Sequence, residues 1–132
     1  NLEKYIKQFF DAKIFVPAPA QGAIALEIKK NNFTLLEKLK KINNYETMLE
    51  VNAERSFLKE VDGGCHLPFG CYAKIDEKIL NIYGYISSID SKKNILHSIS
   101  GDIKKNNSLV KDLALQMLNK GGKSIIKSIK KK

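Results

Sequence analysis

The sequence predicts an α+β fold: a three-stranded antiparallel sheet covered on one face by helices, preceded by a helix–strand segment. Between residues 71 and 100, three apolar runs are separated by short polar turns, which is typical of an antiparallel meander. Segments with apolar residues at helical spacing flank these runs on both sides. Helices packed on one face of a small antiparallel sheet make an α+β domain.

The N-terminal part is predicted to contain a helix, an extended stretch and a strand. Apolar residues at helical spacing predict a helix over residues 1–11. Pro17 and Pro19 then favour an extended backbone. Residues 23–29 alternate as in a strand, and Asn31-Asn32 marks a turn. The apolar face of this strand consists of Ile24, Leu26 and Ile28.

Two helices are predicted next, over residues 33–42 and 45–61. Asn43-Asn44 separates them and offers an N-cap for the second helix. One stripe of the second helix is apolar, and we interpret it as core packing. Asp62-Gly63-Gly64 ends that helix, because glycine accepts the left-handed conformation of a C-cap.

The sheet is predicted from residues 71–75, 79–88 and 95–100. In the second strand the residues predicted to be buried alternate with partly wet ones. The first set is Leu80, Ile82 and Ile86, and the second is Asn81, Tyr83 and Tyr85. A helix capped by Asn107 or Ser108 follows, Gly121-Gly122 stops it, and a last short helix covers residues 124–129.

The composition indicates one domain of modest size with a basic surface. The 132 residues are 43% hydrophobic and 28% charged, with a net charge of +9, which suits a chain with one core. No apolar run approaches the length of a membrane span. A basic balance is compatible with nucleic-acid binding, so a basic non-catalytic nucleic-acid-binding domain is the alternative function. No nucleic-acid-binding motif supports that alternative, and the lysines are spread along the chain.

The loop around Cys65 carries the strongest chemical signal. The string from Asp62 reads Asp-Gly-Gly-Cys-His-Leu-Pro-Phe-Gly-Cys. Gly63 and Gly64 allow a sharp turn that presents the thiol rather than packing it. Two cysteines six residues apart make no disulfide framework. Cys65 and His66 with Cys71 and His97 match no common zinc spacing, so we expect no metal site.

Three motifs in this chain, in the same order, resemble those of the porphobilinogen deaminase (hydroxymethylbilane synthase) family. The cysteine loop resembles its Gly-Gly-Cys-x-x-Pro-x-Gly segment. The other two motifs are Pro17-Ala18-Pro19-Ala20-Gln21-Gly22-Ala23 and Glu46-Thr47 with Val51-x-Ala53-Glu54-Arg55. The chain departs from the family where Ala20 replaces a glycine, Pro19 a valine, and Cys71 a small residue.

The resemblance implies a function in tetrapyrrole and heme biosynthesis. In the family, a transferase condenses four porphobilinogen molecules into hydroxymethylbilane and releases ammonia. The cysteine that corresponds to Cys65 carries a dipyrromethane cofactor through a thioether, so Cys65, Gly64 and Gly63 are the expected cofactor-binding residues. Gln21 and Gly22 are expected either to line the cofactor cleft or simply to form a turn into the following strand.

The resemblance also implies that this chain is the C-terminal part of an enzyme with three domains. Residues 1–30 resemble a segment of domain 1, and residues 31–132 resemble the C-terminal cofactor-carrying domain. The family's catalytic aspartate and substrate-binding arginines lie upstream, and Arg55 is the only arginine here. We therefore expect no catalytic residue in this chain, no activity and no attached cofactor when it is alone.

The expected partners follow from the same comparison. They are porphobilinogen as substrate of the full enzyme and the missing domains 1 and 2, with no membrane. Without domain 1, we expect residues 21–29 either to dock on the body of the C-terminal domain or to pair with the same segment of a second chain, which would give a homodimer through residues 1–30. The expected location is the cytoplasm, or a plastid-like organelle in a eukaryote.

Overall fold

A computed structural model describes residues 2–61 and 68–130 of this chain. In chain order it contains a 3₁₀ turn at Glu3–Tyr5, helices α1 (Phe33–Lys40) and α2 (Tyr45–Glu60), and strands β1 (Phe69–Asp76), β2 (Ile79–Ser87) and β3 (Asn94–Asp102). A 3₁₀ turn at Ile103–Lys105, helix α3 (Asn106–Met117), a π turn at Leu118–Gly122 and helix α4 (Lys123–Lys130) complete it. The predicted α+β class is confirmed.

The three strands form an antiparallel sheet in the order β1-β2-β3. Tyr72 of β1 pairs with Tyr83 of β2, and Tyr83 pairs in turn with Ser98 of β3. The polar turns at residues 77–78 and 88–93 produce this meander, as the sequence predicts. The outer side of β1 remains as one edge of the sheet.

The core lies between the sheet and helices α2 and α3. In β2 the predicted alternation is confirmed, because Leu80, Ile82 and Ile86 are buried while Tyr83 and Tyr85 are only partly covered. The helices contribute a matching apolar set. It consists of Ala53, Phe57, Leu109, Val110, Leu113, Ala114 and Met117.

The helix ends agree with the sequence prediction in two places and differ from it in a third. The predicted N-cap of α2 is confirmed, since the Thr47 N–H donates to Asn44 Oδ1 at 3.0 Å. The predicted cap of α3 at Asn107 or Ser108 is wrong, because the 3₁₀ turn that Asp102 caps leads directly into the helix. Gly121, with φ of 113°, separates α3 from α4 as predicted.

The N-terminal part differs from the prediction in two details. Only Glu3–Tyr5 is helical within the predicted helix 1–11, and residues 23–29 belong to no described strand. A short helix gains most of its stability from packing its apolar face, yet Phe9 is 81% exposed. Residues 23–29 likewise have no strand beside them in the described residues, and Ile24 is 92% exposed.

Two further observations limit the function. None of the described helices combines the length and apolar character needed to cross a membrane. Helix α1 buries no residue, and the apolar residues Leu35, Leu36, Leu39 and Ile42 are not packed into the core.

Candidate functional site

The loop predicted to carry the cofactor joins α2 to β1. Cys65, Gly64 and Gly63 lie outside the described residues. Both ends of the loop are described: Val61 is buried in the core after α2, and the Ser87 N–H of β2 donates to the Pro68 carbonyl at 3.1 Å. The residues on both sides of the cysteine loop are therefore held in place, Val61 by the core and Pro68 by β2.

An N-terminal segment, residues 16–22, lies against β1 just after this point. The Cys71 N–H donates to the Pro17 carbonyl at 3.0 Å, so the segment covers part of the free edge of β1. A side chain at position 70 would place its Cβ only 2.6 Å from the Val16 carbonyl oxygen. Gly70 is therefore required for this close approach.

Two successive turns shape the segment and place Gln21 and Gly22. The Gln21 N–H donates to the Ala18 carbonyl, and the Ala23 N–H donates to the Ala20 carbonyl. Each turn has a positive φ at its third residue, 62° at Ala20 and 81° at Gly22. This is the pattern of type II turns, in which proline favours the second position and glycine the third. Pro19 and Gly22 follow that preference, whereas Ala20 occupies a position that suits glycine.

Glu54 of α2 connects this segment to the sheet. One carboxylate oxygen accepts the Ala20 N–H at 2.6 Å, and the other accepts the Ala73 N–H of β1 at 2.8 Å. Glu54 is 6% exposed, and burial raises the pKa of its carboxyl, while the two backbone hydrogen bonds partly oppose that rise. The carboxylate thus joins three elements: α2, β1 and the Gln21–Gly22 turn.

Glu50, one helical turn earlier, covers the next position along the same edge. It accepts the Ile75 N–H at 2.8 Å and pairs with Lys74 at 3.2 Å. Pro17, Glu54 and Glu50 therefore provide acceptors for successive outward N–H groups of β1. Such coverage blocks pairing of the edge with another chain.

A groove of about 350 Å³ lies between the segment, α2 and β1. Gln21, Gly22, Glu54, Tyr72 and Ala73 are among the residues that line it. Gln21 and Gly22 are both exposed at its rim. The structure thus brings these two predicted residues to β1, where the cysteine loop rejoins the sheet.

Cys71 does not resemble a reactive cysteine. Its side chain is fully buried in the core and forms no disulfide. Burial, and secondarily the charge of Glu54, raise the pKa of its thiol well above the ordinary value. The thiolate is the nucleophilic form, so Cys71 is a packing residue.

A zinc site formed by Cys65, His66, Cys71 and His97 gains no support from the described part of the chain. Within residues 2–61 and 68–130, no group of three or more His, Cys, Asp or Glu side chains could hold a metal ion. His97 instead contacts Gln116 Oε1 at 2.7 Å and the Lys120 ammonium at 3.2 Å.

Sequence reasoning missed the role of Glu54. Adjacent residues on a helix face different directions, and here Glu54 is buried while Arg55 is exposed. A signal was present, since Glu50 and Glu54 are four residues apart and flank the apolar stripe of α2. Nothing in the sequence indicated that backbone N–H groups would be their partners.

The family model that matches this chain and several curated relatives share one name. Residues 48–119 match the family model described as porphobilinogen deaminase, C-terminal domain. Porphobilinogen deaminase of Alkaliphilus metalliredigens is 34% identical over 98% of this chain and 41% of the relative. The protein of that name from Natranaerobius thermophilus is 36% identical over 95% of this chain and 42% of the relative.

A third relative gives the same result. Porphobilinogen deaminase of Francisella tularensis subsp. novicida is 35% identical over 97% of this chain and 42% of its own length. The chain spans about two fifths of the length of these curated relatives. None of the three names favours the alternative of a nucleic-acid-binding domain.

Proposed function

This chain belongs to the porphobilinogen deaminase family, and from that membership we propose that it is the C-terminal part of a tetrapyrrole-biosynthesis transferase. The full-length protein would condense four porphobilinogen molecules into hydroxymethylbilane with release of ammonia. The observation that carries the proposal is the match of the family's C-terminal domain to residues 48–119, which include the cysteine loop.

In this proposal, Cys65 anchors a dipyrromethane cofactor and the Gln21–Gly22 turn lines the cleft beside it. Support comes from the contacts of residues 16–22 with Gly70 and Cys71, close to the end of the cysteine loop. A thiol is nucleophilic enough to form a thioether, and oxygen is a poorer nucleophile at neutral pH. When attached, the cofactor supplies the pyrrole chain end that accepts the next substrate unit.

The residues present fit the anchoring of the cofactor but not the binding of its carboxylates. Acetate and propionate groups suit arginine, which binds carboxylates through two parallel hydrogen bonds. Arg55 is the only arginine, and the charged side chains lining the groove are Glu50 and Glu54. The carboxylate-binding groups and the proton-transferring acid would therefore belong to the missing domains 1 and 2, and this chain alone would be inactive.

Residues 1–30 are proposed to belong with domain 1, and residues 31–132 to form the cofactor-carrying domain. The exposed side chains of Ile24 and Leu26 support this division, because neighbouring exposed apolar residues mark a surface that another domain or chain covers. In a sample that holds only this chain, a second copy could cover the same segment and form a homodimer. The cytoplasmic location stays a prediction.

The anchoring role is tested by turnover of the full-length protein with two matched cysteine variants. Cys65→Ser should abolish hydroxymethylbilane formation, since it removes the proposed attachment point. Cys71→Ala is the control, because it removes the other thiol from a buried packing position and should preserve turnover in the folded protein. Near-normal turnover of the purified serine variant would refute the anchoring role.

A further inference from the structure

Glu54 is an unusual residue to find in the interior of this chain. Only two polar or charged residues, Glu54 and Ser87, are buried in the described part of the structure. A buried carboxylate loses its hydration and needs hydrogen-bond donors as compensation. Its partners therefore indicate what the buried charge achieves.

The two oxygens of Glu54 reach two distant parts of the chain. Oε1 accepts the N–H of Ala73 in β1, and Oε2 accepts the N–H of Ala20 between the two turns of residues 18–23. Coverage of the sheet edge needs only the first hydrogen bond. The second, at 2.6 Å, fastens the Gln21–Gly22 turn to the same carboxylate.

Glu50 provides an internal comparison. It lies on the same face of α2 and also accepts an N–H of β1, that of Ile75. The same oxygen, Oε1, also pairs with Lys74, a neighbour in β1, rather than with the turn. Glu50 thus covers the edge, while Glu54 covers the edge and also holds the turn.

We propose that Glu54 is a positioning residue whose carboxylate fixes the Gln21–Gly22 turn to β1, near the point where the Cys65 loop rejoins the sheet. The inference rests on the proposed function, in which that turn lines the cofactor cleft. Glu54 itself touches no reacting atom in this account. It acts through the position of Gln21 and Gly22 beside β1.

The first test measures amide hydrogen exchange in this 132-residue chain and does not depend on the function. Glu54→Gln keeps the side-chain volume but has one carbonyl oxygen, so it preserves at most one of the two hydrogen bonds. We expect the Ala20 or Ala73 amide to exchange about tenfold faster, the factor that corresponds to about 1.4 kcal/mol for a lost hydrogen bond. The amide of Ile82 in the core reports whether the variant is folded.

Glu50→Gln is the matched control, because glutamine can still accept the single N–H of Ile75. The exchange rate of the Ala20 amide should stay within about twofold of that in the unsubstituted chain. A change of that size corresponds to less than the free energy of a typical hydrogen bond. An unsubstituted chain in which Ala20 exchanges as fast as a free peptide would overturn the proposal. So would a folded Glu54→Gln variant with unchanged protection at both Ala20 and Ala73.

The second test is a double-mutant cycle on turnover in the full-length protein. If Glu54 acts through the turn, Glu54→Gln and Gln21→Ala each lower kcat, and the double variant is little worse than the poorer single variant. Losses that simply multiply would mean that Glu54 acts independently of Gln21 and would overturn the positioning role. If the unsubstituted full-length protein has no turnover, the proposed function fails, and the exchange test alone decides whether Glu54 holds the turn.

Discussion

The two parts of this chain differ sharply in how they use their apolar residues. In the sheet–helix body, residues 53–61 and 68–130, they form a continuous core between α2, α3 and the sheet. In the N-terminal arm, residues 2–48, no described residue is buried, although the arm is rich in phenylalanine, leucine and isoleucine. Similar composition therefore gives a packed domain in one part and an exposed surface in the other.

The difference shows that local pattern and available partner are separate requirements. The body supplies its own partners, because helices and strands of one continuous stretch of chain cover each other. The arm is attached mainly at residues 16–22, through Pro17, Gly70 and Glu54. An exposed apolar surface usually marks an interaction site, in accord with a chain that spans two fifths of its relatives.

The largest expected difference between the body and the arm is in the free energy of unfolding. Phe57→Ala should lower the free energy of unfolding by about 3–5 kcal/mol, because Phe57 is fully buried in the core. Phe9→Ala, the same change in the arm, should alter it by less than about 0.5 kcal/mol. Urea unfolding of both variants measures the two values, and similar losses would contradict the division into body and arm.

The turn that joins arm and body offers a smaller, two-sided test. Ala20→Gly should stabilise the chain by up to about 1 kcal/mol, because an L-residue with positive φ is strained by about 1–2 kcal/mol and glycine gives back part of this through unfolded-state entropy. Gly22→Ala should destabilise it by about 1 kcal/mol for the same reason. An added Cβ at Gly22 meets no atom within 4 Å, so backbone conformation alone is tested.

Urea unfolding of both turn variants gives the comparison directly. Opposite signs for the two changes are expected if the turn is formed in solution. Equal and negligible changes would mean that the arm is not held at β1.

The dependence of stability on pH should carry a contribution from Glu54. Burial raises the pKa of this carboxyl above its ordinary value of 4.5 in the folded chain. The folded state thus binds the proton more tightly, so this contribution is fully present below the unfolded pKa and is lost as pH rises through the folded pKa. Glu54→Gln lacks this titration.

Unfolding measured at several pH values on both proteins isolates the term. The stability of the unsubstituted chain relative to Glu54→Gln should fall with rising pH from about the unfolded pKa upward. A difference that rises over this range would show that the hydrogen bonds from Ala20 and Ala73 outweigh burial.

The smallest expected effect is weak self-association through the arm. Light scattering at high concentration should detect a dimer, and deletion of residues 1–30 should remove it. The paired change Ile24→Lys with Leu26→Lys is the sharper variant, because it leaves residues 16–22 in place. A dimer that survives both changes would place the contact elsewhere.

The fold of the body could be predicted from the sequence because its signals are local and its partners are near in the chain. Alternation in β2, the Asn44 cap and the Gly121 break each matched what the structure has. The helix predicted over residues 1–11 and the strand predicted over residues 23–29 differ from the structure for the opposite reason. Their patterns are real, but each needs a packing partner that the sequence of this chain does not supply.

The candidate site was predictable only in part. The motif around Cys65 and the position of Gln21 and Gly22 came from a family resemblance, whereas their attachment to β1 depends on backbone contacts of Val16, Pro17 and Ala20. Side-chain patterns do not report such contacts. Glu54 was recognisable as a charged residue beside an apolar stripe, but not as the group that joins the turn to the sheet.

Intact mass with peptide mapping of the full-length protein tests the central claim most directly. We expect an added mass equal to two pyrrole units on the peptide that contains Cys65, no addition in Cys65→Ser, and the bare mass for this 132-residue chain alone. Cys71 should be unmodified throughout, because its thiol is buried. An active full-length protein with no addition at Cys65, or with the addition on another residue, would contradict the account.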